Sequence, residues 1–144
     1  MSKTDSFETS FLNHVFKNTN IANIGDAAGL LASGVAGNLY VALFTDAVVV
    51  SDSVVGTETS YTGYARIPVA RGAGWTVSGN SATNAGLITF GLNTAGTPTI
   101  CYVAIYTALT GGDRLYWGAL TADLILTVGV NPVFVPGSLV FTED

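Results

Sequence analysis

From Leu39 to Thr142 the chain is a series of short β-branched and aromatic runs, each cut off by Gly, Asn, Asp or Pro. Runs this short, with a period near two and bounded by turn residues, read as strands. The pattern predicts strands at Leu39–Thr45, Tyr64–Ala70, Trp75–Val77, Leu87–Phe90, Ile100–Tyr106, Arg114–Ala119, Leu124–Val128 and Ser138–Thr142. No helical period falls between them, which predicts an all-β fold, a β-sandwich or jelly-roll-like arrangement. Leu39–Phe44 and Ile100–Ile105 are apolar at odd and even positions alike, so they are expected as central strands covered on both faces. Tyr64–Ala70 alternates, placing Ala65, Ile67 and Val69 inward and Tyr64, Arg66 and Pro68 outward, with Pro68 confining the strand to an edge. Thr110-Gly-Gly-Asp113 supplies the positive-φ residues of a hairpin turn, and the hairpin is expected to gather Tyr102, Tyr106, Tyr116 and Trp117.

One helix precedes the strands. Phe7, Phe11, Leu12, Val15 and Phe16 recur at helical spacing on one half of the helix surface. Asp5 followed by Glu8 resembles a capping box, and Lys17-Asn18 marks the end. Thr19–Asn38, rich in Gly, Ala and Asn, has no stable period and is expected to be a loop or arm. The domain division expected is therefore a helix and arm over 1–38 and a β-sandwich domain over 39–144.

Only 10% of the residues are charged and 49% are hydrophobic, against about 25% charged in ordinary soluble domains. Most of the polar surface must then come from Ser, Thr, Asn and Gly. Two charge-free stretches have membrane-spanning length, but Ala27–Thr45 carries Ser33, Asn38 and three glycines, and Leu124–Thr142 is broken by Asn131-Pro132 and Pro136-Gly137. No membrane association is expected. Met1–Ser10 has no apolar core of a secretory leader. A net charge of −5 and five scattered Lys and Arg side chains argue against nucleic acid, whose phosphates require clustered cations.

The same residue inventory is poor in chemistry. Cys101 is the only cysteine and lies in an apolar run, so it reads as a buried thiol; no Cys/His cluster or calcium-loop spacing marks a metal site. Gly29 to Gly34 spaces two glycines like a phosphate loop, but Val35 and Ala36 follow where Lys and Ser/Thr are needed. Asp46, Asp52 and Glu58 share one loop, the raw material of a two-carboxylate glycosidase, yet read equally well as solvated charges. His14, the only histidine, sits at the edge of the helix's apolar half, and no Gly-x-Ser-x-Gly elbow surrounds a serine. No enzyme activity, catalytic residue, cofactor or metal is expected. Trp75, Tyr61 and Tyr64 could stack on sugars if exposed, or belong to the core.

Phe11-Leu-Asn-His-Val-Phe-Lys-Asn18, Leu39-Tyr-Val-Ala-Leu-Phe-Thr45, Tyr64-Ala-Arg-Ile-Pro-Val69, Val103–Leu120 with its Gly-rich hairpin, and Leu139–Asp144 follow one another in an order that resembles small tailed-bacteriophage virion proteins labelled tail-fibre or head-decoration (cement) proteins. The resemblance spans most of the chain, with Ile21–Gly37 longer and richer in Gly and Ala than the pattern. It implies a β-sandwich assembled on the virion and no catalytic residues. The function expected is a capsid cement protein, assembled in the host cytoplasm, that packs on the major capsid protein and on sister copies as a homo-dimer or homo-trimer. Phe7, Phe11, His14, Phe16 and Lys17 are the expected contact residues. A tail-associated module that binds a receptor or glycan is the alternative.

Overall fold

The computed structural model describes residues 2–45 and 50–143; Asp46 and Asp144 lie outside them. Antiparallel sheets and one short helix make up the regular structure of the described residues, as the strand-and-turn pattern requires. In chain order these are α1 (Asp5–Lys17), β1 (Asn38–Thr45), β2 (Thr57–Glu58), β3 (Ile67–Ala70), β4 (Trp75–Ser78) and β5 (Ser81–Asn84). They are followed by β6 (Ile88–Thr89), β7 (Thr99–Tyr106), β8 (Arg114–Ile125), β9 (Val133–Phe134) and β10 (Val140–Thr142). The chain forms two compact units, one from Met1–Asn38, Val69–Ile88 and Phe134–Asp144, the other from Leu39–Pro68 and Thr89–Val133. The break after Asn38 is thus a unit boundary, but residues 39–144 are shared between both units.

In the first unit α1 begins one residue earlier than the Asp5 cap implies. Thr4 is the N-cap, its side chain accepting a hydrogen bond from the Phe7 N–H at 3.4 Å, with Asp5 and Glu8 in the first turn facing the positive end of the helix dipole. Asn18, in the left-handed conformation at φ 58°, ends it. The helix packs Leu12 and Phe16 onto the sheet β10-β5-β4. Phe16 meets Trp75 edge-on at 4.9 Å and stacks on Phe141 at 5.7 Å, and the three rings form the centre of this unit. β5 escaped the sequence reading because Ser-Ala-Thr-Asn carries no strand signature. It is held by Ala82 and Asn84, both buried, and the Asn84 amide acts as a bracket. Asn84 Nδ2 donates to the carbonyls of Gly86 and Val135 at 2.8 Å each, and Oδ1 accepts from the Leu139 N–H at 2.9 Å.

The second unit is built on the sheet β2-β1-β7-β8. β1 and β7 occupy its centre and are buried along nearly their whole length, as two-sided apolar runs demand. Their register, Tyr40 opposite Tyr106 through Phe44 opposite Tyr102, puts Val41, Leu43, Val103 and Ile105 on one face and Tyr40, Ala42, Phe44, Tyr102, Ala104 and Tyr106 on the other. The β7–β8 hairpin turns where the sequence places it. Gly111 and Gly112 have φ of 62° and 71°, and a Cβ on Gly112 would lie 2.8 Å from the Thr107 hydroxyl and the Ala108 side chain. Trp117 stands opposite Ala104, on the face of Tyr102 and Tyr106, but Tyr116 stands opposite Ile105 on the other face. Three of the four hairpin aromatics gather, therefore, and Tyr116 does not. β8 also runs on through Leu120–Asp123, joining two strands expected to be separate.

Candidate functional site

The second unit holds the most elaborate polar arrangement, centred on Arg66. The expected alternation holds over Ile67–Ala70, where Ile67 and Val69 are partly covered and Pro68 is exposed, but it is reversed at the two residues before, since Ala65 is exposed and Arg66 is 8% exposed. The reason is a partner eight residues away. Arg66 Nε and Nη2 each donate at 2.8 Å to the two oxygens of Glu58, a bidentate pair, while Nη1 donates to the carbonyls of Ala108 at 2.9 Å and Gly111 at 2.7 Å. The guanidinium carbon lies 3.7 Å from the centroid of the Tyr106 ring. Tyr64 donates its hydroxyl proton to Glu58 at 2.7 Å and accepts from the Leu43 N–H at 3.1 Å. Glu58, through its hydrogen bonds, raises the pKa of Arg66 above its usual value, and burial pushes the Tyr64 and Tyr106 phenols up. Both Glu58 oxygens are engaged by Arg66, so the arrangement fixes the hairpin to the segment around β2 as a charged clamp.

A second guanidinium organises the loop beside it. Arg114 donates to the carbonyls of Ser51, Asp52, Val54 and Val55, drawing 51–55 around one cation, and its guanidinium carbon lies 5.7 Å from the Trp117 ring centroid. Trp117 Nε1 donates to Asp52 Oδ1 at 3.1 Å. Of the three carboxylates weighed as a glycosidase pair, Glu58 is thus clamped by Arg66 and Asp52 is bonded to Trp117, and Asp46 falls outside the described residues. Among the described residues no group of three or more His, Cys, Asp and Glu side chains is placed to hold a metal ion. No helix among them is long and apolar enough to cross a membrane.

The five helix residues offered as contacts divide. Phe16 is wholly buried in its own unit, and Lys17 Nζ donates to the carbonyls of Gly72 at 2.8 Å and Trp75 at 2.9 Å, so both serve the core that the helix completes. Phe7, 38% exposed, lies 6.4 Å from Phe11, which is half-buried, and the His14 Nδ1 lies 2.8 Å from the Thr19 carbonyl oxygen. The arm is tied down as well. Arg71, which no sequence signal singled out, donates to the carbonyls of His14, Val15 and Ala36 and to the Ser33 hydroxyl, joining the helix C-terminus to the arm. Asn18 exchanges two hydrogen bonds with Ser33, at 2.9 and 3.0 Å. Trp75 and Tyr61 are core residues, and the Tyr64 ring lies between Tyr61 and Phe90, edge-on to Tyr61 at 5.5 Å and stacked on Phe90 at 6.1 Å, so these aromatics are not a sugar platform.

What the surface does offer is uncharged apolar area. Leu31 and Val35 project from the arm, and β8 exposes Leu115, Trp117 and Ile125. A surface of this kind suits contact with other proteins. The family comparison agrees: a protein-family model described as "Podophage GP4 fiber I protein gp80" matches residues 2–142. The chain belongs to this podophage fiber protein family. It is a structural protein of a tailed-phage virion, as the order of the sequence segments implied. No curated protein matches it.

Proposed function

We propose that this member of the fiber family is a building block of the tail fibre, acting through contact between copies and neighbouring virion proteins and not through catalysis. The observation that carries the choice of tail over head is the commitment of α1. A cement protein anchored by its helix and arm needs those elements available to a capsid subunit, but Phe16 and Lys17 are spent inside their own unit and Arg71 holds the arm to the helix end. The family's fiber description supports the same choice. Buried Trp75 and Tyr61 remove the aromatics most suited to glycan stacking, so the role favoured within the fibre is structural. The cement reading keeps one specific support, the partly exposed Phe7–Phe11 pair with His14 beside it, which leaves a small apolar patch for a capsid neighbour.

Stoichiometry separates the two. In purified particles the band of this protein, set against the major capsid band, is expected far below equimolar, with antibody label at the tail. A near-equimolar band and label over the head would reverse the assignment to cement.

A further inference from the structure

We propose that 50–55 is a strap latched by Arg114 over one face of the sheet β2-β1-β7-β8, and that it opens as a unit while the sheet beneath it stays folded. The device belongs to the second unit alone and does not depend on where in the virion the chain stands.

The face that the strap covers is laid out by the register. Ala42 stands opposite Ala104, and Ala104 opposite Trp117, so two small side chains lie next to each other on β1 and β7 with a large one beside them on β8. Phe44 and Tyr106, each two residues further along its strand, stack on one another at 6.2 Å. Val50 packs with Ala42, Phe44, Ala104 and Tyr106, and Tyr40 and Tyr102 border the same cluster. Val50 lies in no strand and is 2% exposed, a loop side chain carried into the core. None of 51–55 is buried, so Val50 is the strap's one anchor there.

The strap is held differently from the strands it covers. Among the described residues no backbone hydrogen bond joins 50–55 to β1, β7 or β8. The strap's own backbone bonds are internal, from the Ser51 N–H to the Val54 carbonyl at 2.9 Å and from the Val54 N–H to the Ser51 carbonyl at 3.3 Å. Its polar ties to the sheet are side-chain bonds from β8, those of Arg114 to the carbonyls of Ser51, Asp52, Val54 and Val55 and that of Trp117 to the Asp52 carboxylate. Arg66 grips the carboxylate of Glu58, whereas the Arg114 bonds end on neutral carbonyls, a weaker kind of partner. Arg114 is therefore the first of the two guanidinium contacts to release. Once it does, the strap's carbonyls pass to water and no ladder has to unzip; only the withdrawal of Val50 opposes the motion. Gly56, at φ 82°, supplies the turn between the strap and β2. Opening bares the face that carries Tyr40, Phe44, Tyr102 and Tyr106 and leaves the β1–β7–β8 ladder whole.

The test labels a thiol placed at the anchor of the full chain. In Val50→Cys the introduced thiol is shielded while the strap is shut, and iodoacetamide labelling of the unsubstituted chain, whose Cys101 is buried, sets the background. Adding Arg114→Met keeps an apolar stem and removes the donors. Labelling is expected to speed up at least about tenfold, while amide exchange at the centres of β1 and β7 stays unchanged. A labelling rate that does not change, or one that rises only together with exchange throughout β1 and β7, would overturn the latch. If the double variant does not fold, Val50→Cys alone decides. Labelling that is independent of dilute urea supports a local opening, and labelling that appears only in step with global unfolding would overturn the strap.

Discussion

Phe16 shows how far a single side chain can depart from what its neighbours in sequence suggest. On a helical wheel it belongs with Phe7 and Phe11, yet it is wholly buried between Trp75 and Phe141 while Phe7 stays partly exposed beside Phe11. Truncation should separate them. Phe16→Ala removes a packed ring and is expected to cost about 3–5 kcal/mol, whereas Phe7→Ala should stay within about 0.5 kcal/mol, the usual range for surface substitutions. Urea melts of the two variants measure this directly. Equal losses would show that both rings belong to one core and would weaken the argument against helix anchoring. Arg66 makes the reverse departure, a cation that the alternation of Tyr64–Ala70 sends outward but that Glu58 and two hairpin carbonyls draw inside.

The β7–β8 hairpin depends on that inward turn. Its tip is shaped locally by Gly111 and Gly112, and the Thr107 N–H donates to the Asp113 carbonyl at 3.0 Å. Its position relative to β2 depends on the Arg66 clamp. Arg66→Met leaves Glu58, only partly exposed, without its counter-charge and the Ala108 and Gly111 carbonyls without their donor, so a loss of about 3–5 kcal/mol is expected. Adding Glu58→Gln should recover part of this loss, because the stranded charge is then gone. A double-mutant cycle from urea midpoints gives the coupling; simple additivity would mean that the pair contributes nothing as a pair. β8, the hairpin's second strand, is otherwise unusual in leaving both of its faces unburied.

At the scale of the whole molecule, stability should be lost on the alkaline side. Burial pushes the phenols of Tyr61, Tyr64 and Tyr106 above the ordinary value of 10.0. The folded state then keeps protons that the unfolded chain releases. This contribution to stability is complete below pH 10 and disappears as pH rises through the folded-state values. Melting temperature against pH is expected to fall above about pH 10, together with a late rise in phenolate absorbance near 295 nm, and Tyr64→Phe should make the fall shallower. An early phenolate signal from these three residues at neutral-to-mild alkaline pH, with the fold intact, would show that they are not protected.

The sequence by itself determined whatever depends on nearest neighbours. It determined the all-β class, the helix and its end at Asn18, the two-sided burial of β1 and β7, and the Gly111-Gly112 turn, because apolar period and positive-φ residues act over a few positions. The ordered run of these segments was also enough to suggest a virion protein. Tertiary structure alone decided the rest. β5 is held because Asn84 brackets Val135 and Leu139, distant groups that no local signal foretells. The helix became core because Trp75 and Phe141 receive Phe16, and Arg66 turned inward because a carboxylate and two carbonyls meet it there. Long-range pairing satisfies buried polar groups and fills space, and a one-dimensional pattern carries neither the partner nor the distance.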